Sequence, residues 1–287
     1  MIKLSFGEKV SLKDIEESGQ CFRWAQDGEG RYRVTASGKV ADVRQSGEDA
    51  IEVDAPEDQR QFWENYFDIG TSYSEIRRRI PESDAYMQKA AREGEGLRII
   101  RQDPWETLVT FIISQRKNIP AIKLCVRKLC RVAGKKIVSK EGTVYHLFPA
   151  PDEILSLKCN KTLGLPEKGG CPCSFQEAGF ENCSLGYRMP YLFSAAAWWK
   201  GQDPDALRAL DDESLQNALM EIKGVGVKVA SCVMLFGFHR TNAFPVDVWM
   251  ERALKAHYPE GFDFQSYAPY AGILQQYMFC EARKSGK

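Results

Sequence analysis

The stretch LQNALMEIKGVGVKVASCVMLFGF, Leu215–Phe238, decides how this chain folds. Leu215, Ala218, Leu219 and Ile222 recur at helical spacing and make one apolar face. Gly224-Val225-Gly226 interrupts that helix, and Val229, Cys232, Val233 and Phe236 form the face of a second one. The pattern predicts a helix, a tight glycine turn and a helix. Glycine at 224 and 226 permits positive φ and the close approach of another backbone. The amides of such a turn and the start of the second helix suit a phosphate. That is a sequence-independent grip on a nucleic-acid backbone. A plain helical hairpin capped by glycine would carry the same two residues.

Two residues beyond the turn bear chemistry. Lys228 falls in the first turn of the second helix. The dipole at a helix start disfavours an ammonium, and a neutral amine there is a usable nucleophile. Cys232 and Phe236 follow at successive steps of four and line the same wall. An ordinary solvated lysine would sit equally well in that pattern. Asp247 follows Pro245-Val246 and precedes a helical run to about His257, so it is an N-cap. A capping carboxylate is rigid and charged, which also suits it to stabilise positive charge on a reacting group.

Outward from the hairpin, the chain changes character twice. Gln20–Trp24, Arg31–Ala36, Lys39–Arg44 and Ala50–Val53 are short β-forming runs separated by Asp27-Gly28, Ser37-Gly38 and Ser46-Gly47. They predict an antiparallel meander. After about residue 58, Phe62, Tyr66, Ile69, Ile76 and Ile80 take helical spacing, and helices are expected over Pro104–Ser114 and Ala121–Val132. The fold class is α+β, with a β-rich segment 1–98 followed by a helical body 99–287.

Composition narrows the function classes. The chain has 287 residues, with 39 basic and 39 acidic side chains, so it lacks the excess charge of a nonspecific nucleic-acid coat protein. A local basic face is still available from Arg116-Lys117, Lys123, Arg127-Lys128, Arg131 and Lys135-Lys136. The first residues, MIKLSFGEKVSLKD, show no secretory apolar core, and no apolar run is long enough to span a membrane. A cytoplasmic protein is expected (nucleoid-associated in a prokaryote). The three histidines, His146, His239 and His257, are scattered, which argues against a histidine metal site or a Ser-His-Asp arrangement. In the cytosol the nine cysteines are thiols or metal ligands.

Ile222–Cys232 and Ala243–Val248 together resemble the helix-hairpin-helix/Gly-Pro-Asp DNA glycosylase superfamily, and within it the 8-oxoguanine DNA glycosylase family. Ser18–Trp24, Arg101–Glu106, Tyr145–Pro149, Leu185–Arg188 and Pro269–Gly272 also match family motifs in order, so the likeness covers most of the chain. The resemblance implies a bifunctional glycosylase and AP lyase that flips an oxidised guanine out of duplex DNA. It makes Lys228 the nucleophile at C1′ and Asp247 the carboxylate that stabilises the developing positive charge. Gly19 would present its carbonyl to the N7–H that distinguishes 8-oxoguanine from guanine. Cys232 and Phe279 would stack on the two faces of the base, and Gln275 would bond its Watson–Crick edge. Tyr187 and Arg188 match the residues that wedge the duplex and meet the orphaned base, with the hairpin glycines Gly224 and Gly226 on the DNA backbone. No cofactor is needed for this chemistry; a monovalent cation on the hairpin carbonyls is a further implication. The enzyme is expected to act as a monomer.

The departures from the family pattern are informative. Arg116 stands in place of an asparagine that fills the vacated space, Ala121 in place of an arginine that contacts cytosine, and Trp249 in place of a histidine near a phosphate. Weaker discrimination of the opposite base is expected. An insert over about 158–184 carries Cys159, Cys171, Cys173 and Cys183, a set suited to a structural Zn²⁺ although it lacks a C-x₂-C pair. Two rivals remain. An alkylated-base glycosylase of the same superfamily often keeps the aspartate without the lysine. A noncatalytic helix-hairpin-helix module needs neither Lys228 and Asp247 nor Gly19 and Gln275.

Overall fold

Alternation of Tyr32, Val34 and Ala36 places these side chains on the buried face of a five-stranded antiparallel sheet in the computed structural model, which describes residues 1–138, 142–157 and 183–285. The strands are β1 (Ile2–Ser5), β2 (Trp24–Gln26), β3 (Arg31–Ala36), β4 (Lys39–Gln45) and β5 (Ala50–Asp54), in the order β1-β5-β4-β3-β2. β3 and β4 are joined by Ser37-Gly38, both at positive φ (46° and 78°), which is the backbone a two-residue hairpin loop requires. Opposite them in register, Arg33 and Asp42 form a two-pronged ion pair at 2.7 Å on the outer face.

Two features differ from expectation. The run expected as a strand at Gln20–Trp24 becomes one only from Trp24 to Gln26. The preceding residues are tied by side chains instead: Gln20 donates to the Arg98 carbonyl at 2.8 Å and accepts from Ile100 N–H at 2.9 Å. β1, which the sequence did not announce, closes the sheet by pairing with β5.

The chain divides into two compact units, Met1–Asp103 with Ser231–Lys287, and Pro104–Ala230. The sheet ends at Asp54, helices occupy Arg60–Tyr66, Tyr73–Arg78 and Ala85–Glu93, and the division by contacts falls after Asp103, with Ser231–Lys287 grouped with the N-terminal stretch. The C-terminal helix Ala271–Ser285 packs against Ala85–Glu93, where Glu281 takes hydrogen bonds from Lys89 at 2.7 Å and Tyr86 at 3.0 Å.

In the first unit Trp24, Trp63, Tyr66 and Phe67 fill the space beside the sheet, and Trp24 donates to the Tyr66 hydroxyl at 2.8 Å. Arg98 is 1% exposed yet fully engaged, bonding Glu8 at 2.9 Å and the Asp68 and Thr71 carbonyls at 2.6 Å. The second unit is built on Pro104–Ser114, a helix apolar on every side and buried along almost its whole length. Around it stand Ile119–Ala133, Met189–Lys200 and Asp212–Met220. Val227–Phe236 is the second hairpin helix, and the division between the units falls within it. Among the described residues no helix is long and apolar enough to cross a membrane.

Candidate functional site

In the unit Pro104–Ala230, the expected hairpin forms from Asp212–Met220 and Val227–Phe236. Its first helix is capped by Asp211, which accepts from Ser214 N–H at 2.7 Å. The two turn glycines differ. Gly224 has φ +87°, and a Cβ placed on it would lie 2.3 Å from the Tyr191 ring. Gly226 has no atom within 4 Å of that position and is exposed, so its outer side is open to an approaching group. Lys228 lies in the first turn of the second helix, half-buried, with Nζ 5.4 Å from the centre of the Phe111 ring. It is in no ion pair among the described residues.

Gln115, which the sequence reading passed over, ties three parts of this unit together. Its Nε2 donates to the Gly224 carbonyl at 2.9 Å. Its own carbonyl accepts from Arg188 Nε at 3.0 Å and also from Nη2. Arg188 donates as well to the Leu185 carbonyl at 3.2 Å and is only 6% exposed. Arg188 is thus turned to backbone carbonyls, while Tyr187, 48% exposed, is the outward member of the pair. The Arg188 guanidinium covers the Tyr187 ring at 4.3 Å. Arg116, next to Gln115, is exposed and held at φ +53°. A side chain with a Cβ pays a steric penalty in that region, and asparagine is the residue that tolerates it best.

In the unit containing the sheet, Asp247 caps Val248–His257 as expected. Both capping bonds, from Trp249 N–H and Met250 N–H at 3.0 Å, end on Oδ1. Oδ2 takes no protein hydrogen bond among the described residues, so one oxygen holds the helix while the other is available. Trp249 lies half-buried with the Arg252 guanidinium 5.6 Å over its ring. Gln275 is buried, donates to the Pro245 carbonyl at 3.0 Å and accepts from Gln276 at 2.8 Å. Phe279, one turn later on the same helix, is half-buried with Arg283 5.5 Å from its ring centre. Cys232 is buried on Val227–Phe236.

Gly19 adopts φ +77°, a conformation in which a Cβ is strained, and is fixed on both sides. Ser18 donates to the Ile15 carbonyl at 2.7 Å, and the Gln20 carbonyl accepts from Gln102 at 2.7 Å. Gln102 N–H in turn bonds the Phe236 carbonyl at 3.1 Å, at the end of the helix that carries Cys232. Gly272 explains its motif: a Cβ there would meet the Ala243 carbonyl oxygen at 2.1 Å, so only glycine lets the C-terminal helix approach the segment before Asp247. Gln20, Gln102 and Gly272 lay inside quoted motifs, but their contacts span separations that periodicity does not report. Gln115 follows the mainly apolar helix Pro104–Ser114, and nothing in the local pattern announces its contacts.

Of the cysteines proposed as metal ligands, Cys159, Cys171 and Cys173 lie outside the described residues. Cys183 is fully buried, and burial, with Cys125 close by, pushes its thiol up to about 11. Among the described residues no disulfide forms and no group of three or more potential ligands is arranged for a metal.

Residues 3–108 match the model of the 8-oxoguanine DNA glycosylase N-terminal domain. The solved structure of MBOgg1 in complex with a low-affinity DNA ligand is 31% identical, with a TM-score of 0.85, and the match covers 99% of this chain and 96% of that one. The 8-oxoguanine glycosylase/lyase of Clostridium acetobutylicum, solved with duplex DNA containing cytosine opposite 8-oxoguanine, is 33% identical with a TM-score of 0.81, covering 98% and 94%. The N-glycosylase/DNA lyase of Saccharomyces cerevisiae is 29% identical over 278 residues, 87% of this chain and 69% of its own. Near full-length identity above 30% to two solved relatives places this chain in the 8-oxoguanine DNA glycosylase family.

Proposed function

We propose that this chain excises 8-oxoguanine from duplex DNA and then nicks the strand, with Lys228 as nucleophile. The observation that carries this reading is Lys228 itself: an amine in the first turn of the hairpin helix, without an ion-pair partner among the described residues, beside a turn open at Gly226. In the reaction the Lys228 amine forms a bond to C1′ as the C1′–N9 bond breaks, and the base leaves with a proton. Ring opening gives a Schiff base on Lys228. Loss of a C2′ proton then expels the 3′ phosphate by β-elimination. Asp247 Oδ2 supplies negative charge where the sugar becomes positive, and Oδ1 keeps the carboxylate fixed.

Recognition follows the same residues. The Gly19 carbonyl accepts from N7–H and repels the N7 lone pair of normal guanine. Cys232 and Phe279 contact the faces of the base, and Gln275 its edge; Gln275 must then exchange its bond to the Pro245 carbonyl or use the remaining capacity of its amide. Tyr187 is the wedge and Arg116 faces the orphaned base. With an exposed arginine rather than asparagine at 116 and no polar side chain at Ala121, discrimination of the opposite base is weak. The protein works as a monomer. A monovalent cation fits the hairpin carbonyls of Ile222 and Gly224, each of which takes one protein hydrogen bond and has a second lone pair. A structural Zn²⁺ at Cys159, Cys171, Cys173 and Cys183 would require the buried Cys183 thiol to ionise, and metal analysis after expression in zinc-supplemented medium tests it.

The deciding experiment uses a duplex with one 8-oxoguanine, incubated with and without borohydride. Wild type excises the base and is trapped covalently; Lys228→Gln loses both. Excision that survives in Lys228→Gln removes the lysine from the mechanism. Excision of alkylated bases instead of 8-oxoguanine moves the assignment to that rival.

A further inference from the structure

The helix Ile119–Ala133 carries a charge pattern that neither the proposed catalysis nor the packing uses. Its inner face, Ile122, Cys125, Val126, Leu129 and Cys130, is buried. Its outer face presents Arg127 and Arg131, and Lys135 follows just past the helix end; all three are exposed. Between Glu106 and Glu141 the sequence contains no acidic residue, although the chain as a whole is neutral. Steps of four along one face make Arg127 and Arg131 like-charged neighbours, an arrangement that weakens a helix. The helix dipole accounts for Arg131, in the last turn, but not for Arg127. Neither residue is in an ion pair among the described residues. A stripe of one sign, kept at some expense to the helix and without an ion-pair partner among the described residues, is complementary to a polyanion.

The position of the stripe indicates which polyanion. The helix begins at the Asn118 cap, two residues after Arg116. The same turn is clamped by Arg188 through the Gln115 carbonyl and holds the hairpin through Gly224, all within one compact unit. The stripe runs away from that turn: Arg127 lies nine residues, or about 13 Å, along the helix from the Asn118 cap, and Lys135 just past its end. From Arg127 to Lys135 the stripe spans about 12 Å at 1.5 Å per residue, comparable with about three to four phosphates of one strand. We infer that Arg127, Arg131 and Lys135 form a sequence-independent docking surface for the sugar-phosphate backbone of the strand opposite the lesion. This rests on the DNA-repair reading above and extends it: contact with the opposite strand is made by charge rather than by base edges.

The test is binding of the full chain to an 8-oxoguanine duplex across a salt series, for wild type, Arg127→Gln, Arg131→Gln and the triple Arg127→Gln/Arg131→Gln/Lys135→Gln variant. Each lost phosphate contact lowers the salt slope by about 1, so the triple variant falls short of wild type by about 3. Neutral methylphosphonates in the opposite strand reduce the wild-type slope and leave the triple variant unchanged; in the lesion strand they reduce both equally. Glutamine keeps the helix propensity, and thermal melting of each variant confirms folding. Equal slopes for wild type and variants, or a difference abolished by lesion-strand substitution instead, overturn the inference. Borohydride trapping on the same duplex separates the two levels. Wild type that traps while all slopes agree sinks this surface alone, whereas wild type that neither binds nor traps sinks the repair reading.

Discussion

The two glycines of the hairpin turn should respond oppositely to the same substitution. At Gly224 an added Cβ falls 2.3 and 2.4 Å from Tyr191 Cδ2 and Cγ. Cγ lies on the axis of χ2, so turning the ring about that bond does not relieve the contact; a change of χ1 or a shift of the helix is needed. Overpacking of this kind costs about 1–3 kcal/mol, and a Cβ at φ +87° adds about 1–2 kcal/mol. Gly224→Ala is therefore destabilised by about 2–5 kcal/mol, a fall in Tm of roughly 5–15 °C for a chain of this size. Gly226 has neither a neighbour within 4 Å nor a positive φ, so Gly226→Ala stays within about 0.5 kcal/mol of wild type. Its methyl group instead occupies the open outer side of the turn, where a DNA phosphate would approach. Affinity for duplex DNA drops about tenfold, or about 1.4 kcal/mol. Calorimetric melting and fluorescence anisotropy on the same two variants measure both effects. A Gly224→Ala protein that melts within a degree of wild type refutes the steric reasoning. A Gly226→Ala protein with intact affinity refutes the phosphate contact.

Substitutions at three other positions probe the rest of the structure. Arg188→Ala leaves the Gln115 carbonyl without its guanidinium donor, while Leu185 keeps its bond from the backbone N–H of residue 188, and costs about 1–3 kcal/mol in urea unfolding; Arg188→Lys does not restore it because a planar fork bridges the two carbonyls. Asp247→Asn retains the Oδ1 cap and melts near wild type, yet single-turnover excision falls by about 10²–10⁴-fold; Asp247→Ala loses about 1 kcal/mol of stability in addition. For Asp68, burial pushes the carboxyl up, but the hydrogen bond and charge of His239, with Arg101 and the Tyr73 hydroxyl, more than reverse this and hold it below its ordinary value. Its stabilising contribution is then complete above the unfolded pKa of about 3.9 and disappears as pH falls through the lower folded value. Asp68→Asn should lose about 3 kcal/mol at pH 7, with the gap to wild type closing below about pH 4 in a pH series of melts. A gap that stays constant into acid would assign the loss to packing rather than charge.

The sequence by itself determined whatever depends on neighbours a few residues apart. Helical spacing on either side of Gly224-Val225-Gly226 gave the hairpin, and Pro104–Ser114 begins and ends where the apolar run does. The Asp247 cap is a local bond to amides two and three residues on, so its residue type announced it. Strands β3 to β5 were legible because tight turns bring consecutive strands together. Tertiary structure decided what depends on residues far apart. β1 is four residues long and becomes a strand only by meeting β5 some 50 positions later. Arg188 turns inward because it donates to the Gln115 carbonyl, 73 residues away, a partner that no local pattern announces. The C-terminal helix joins the sheet-bearing unit by packing on Ala85–Glu93, where Glu281 meets Lys89 and Tyr86 from far earlier in the chain. Gly224 and Gly226 are equivalent in the sequence, and only the Tyr191 ring distinguishes a glycine needed for packing from one that leaves its surface open. Periodicity records which side of an element is apolar; it carries no information about which distant group will fill the space beside it.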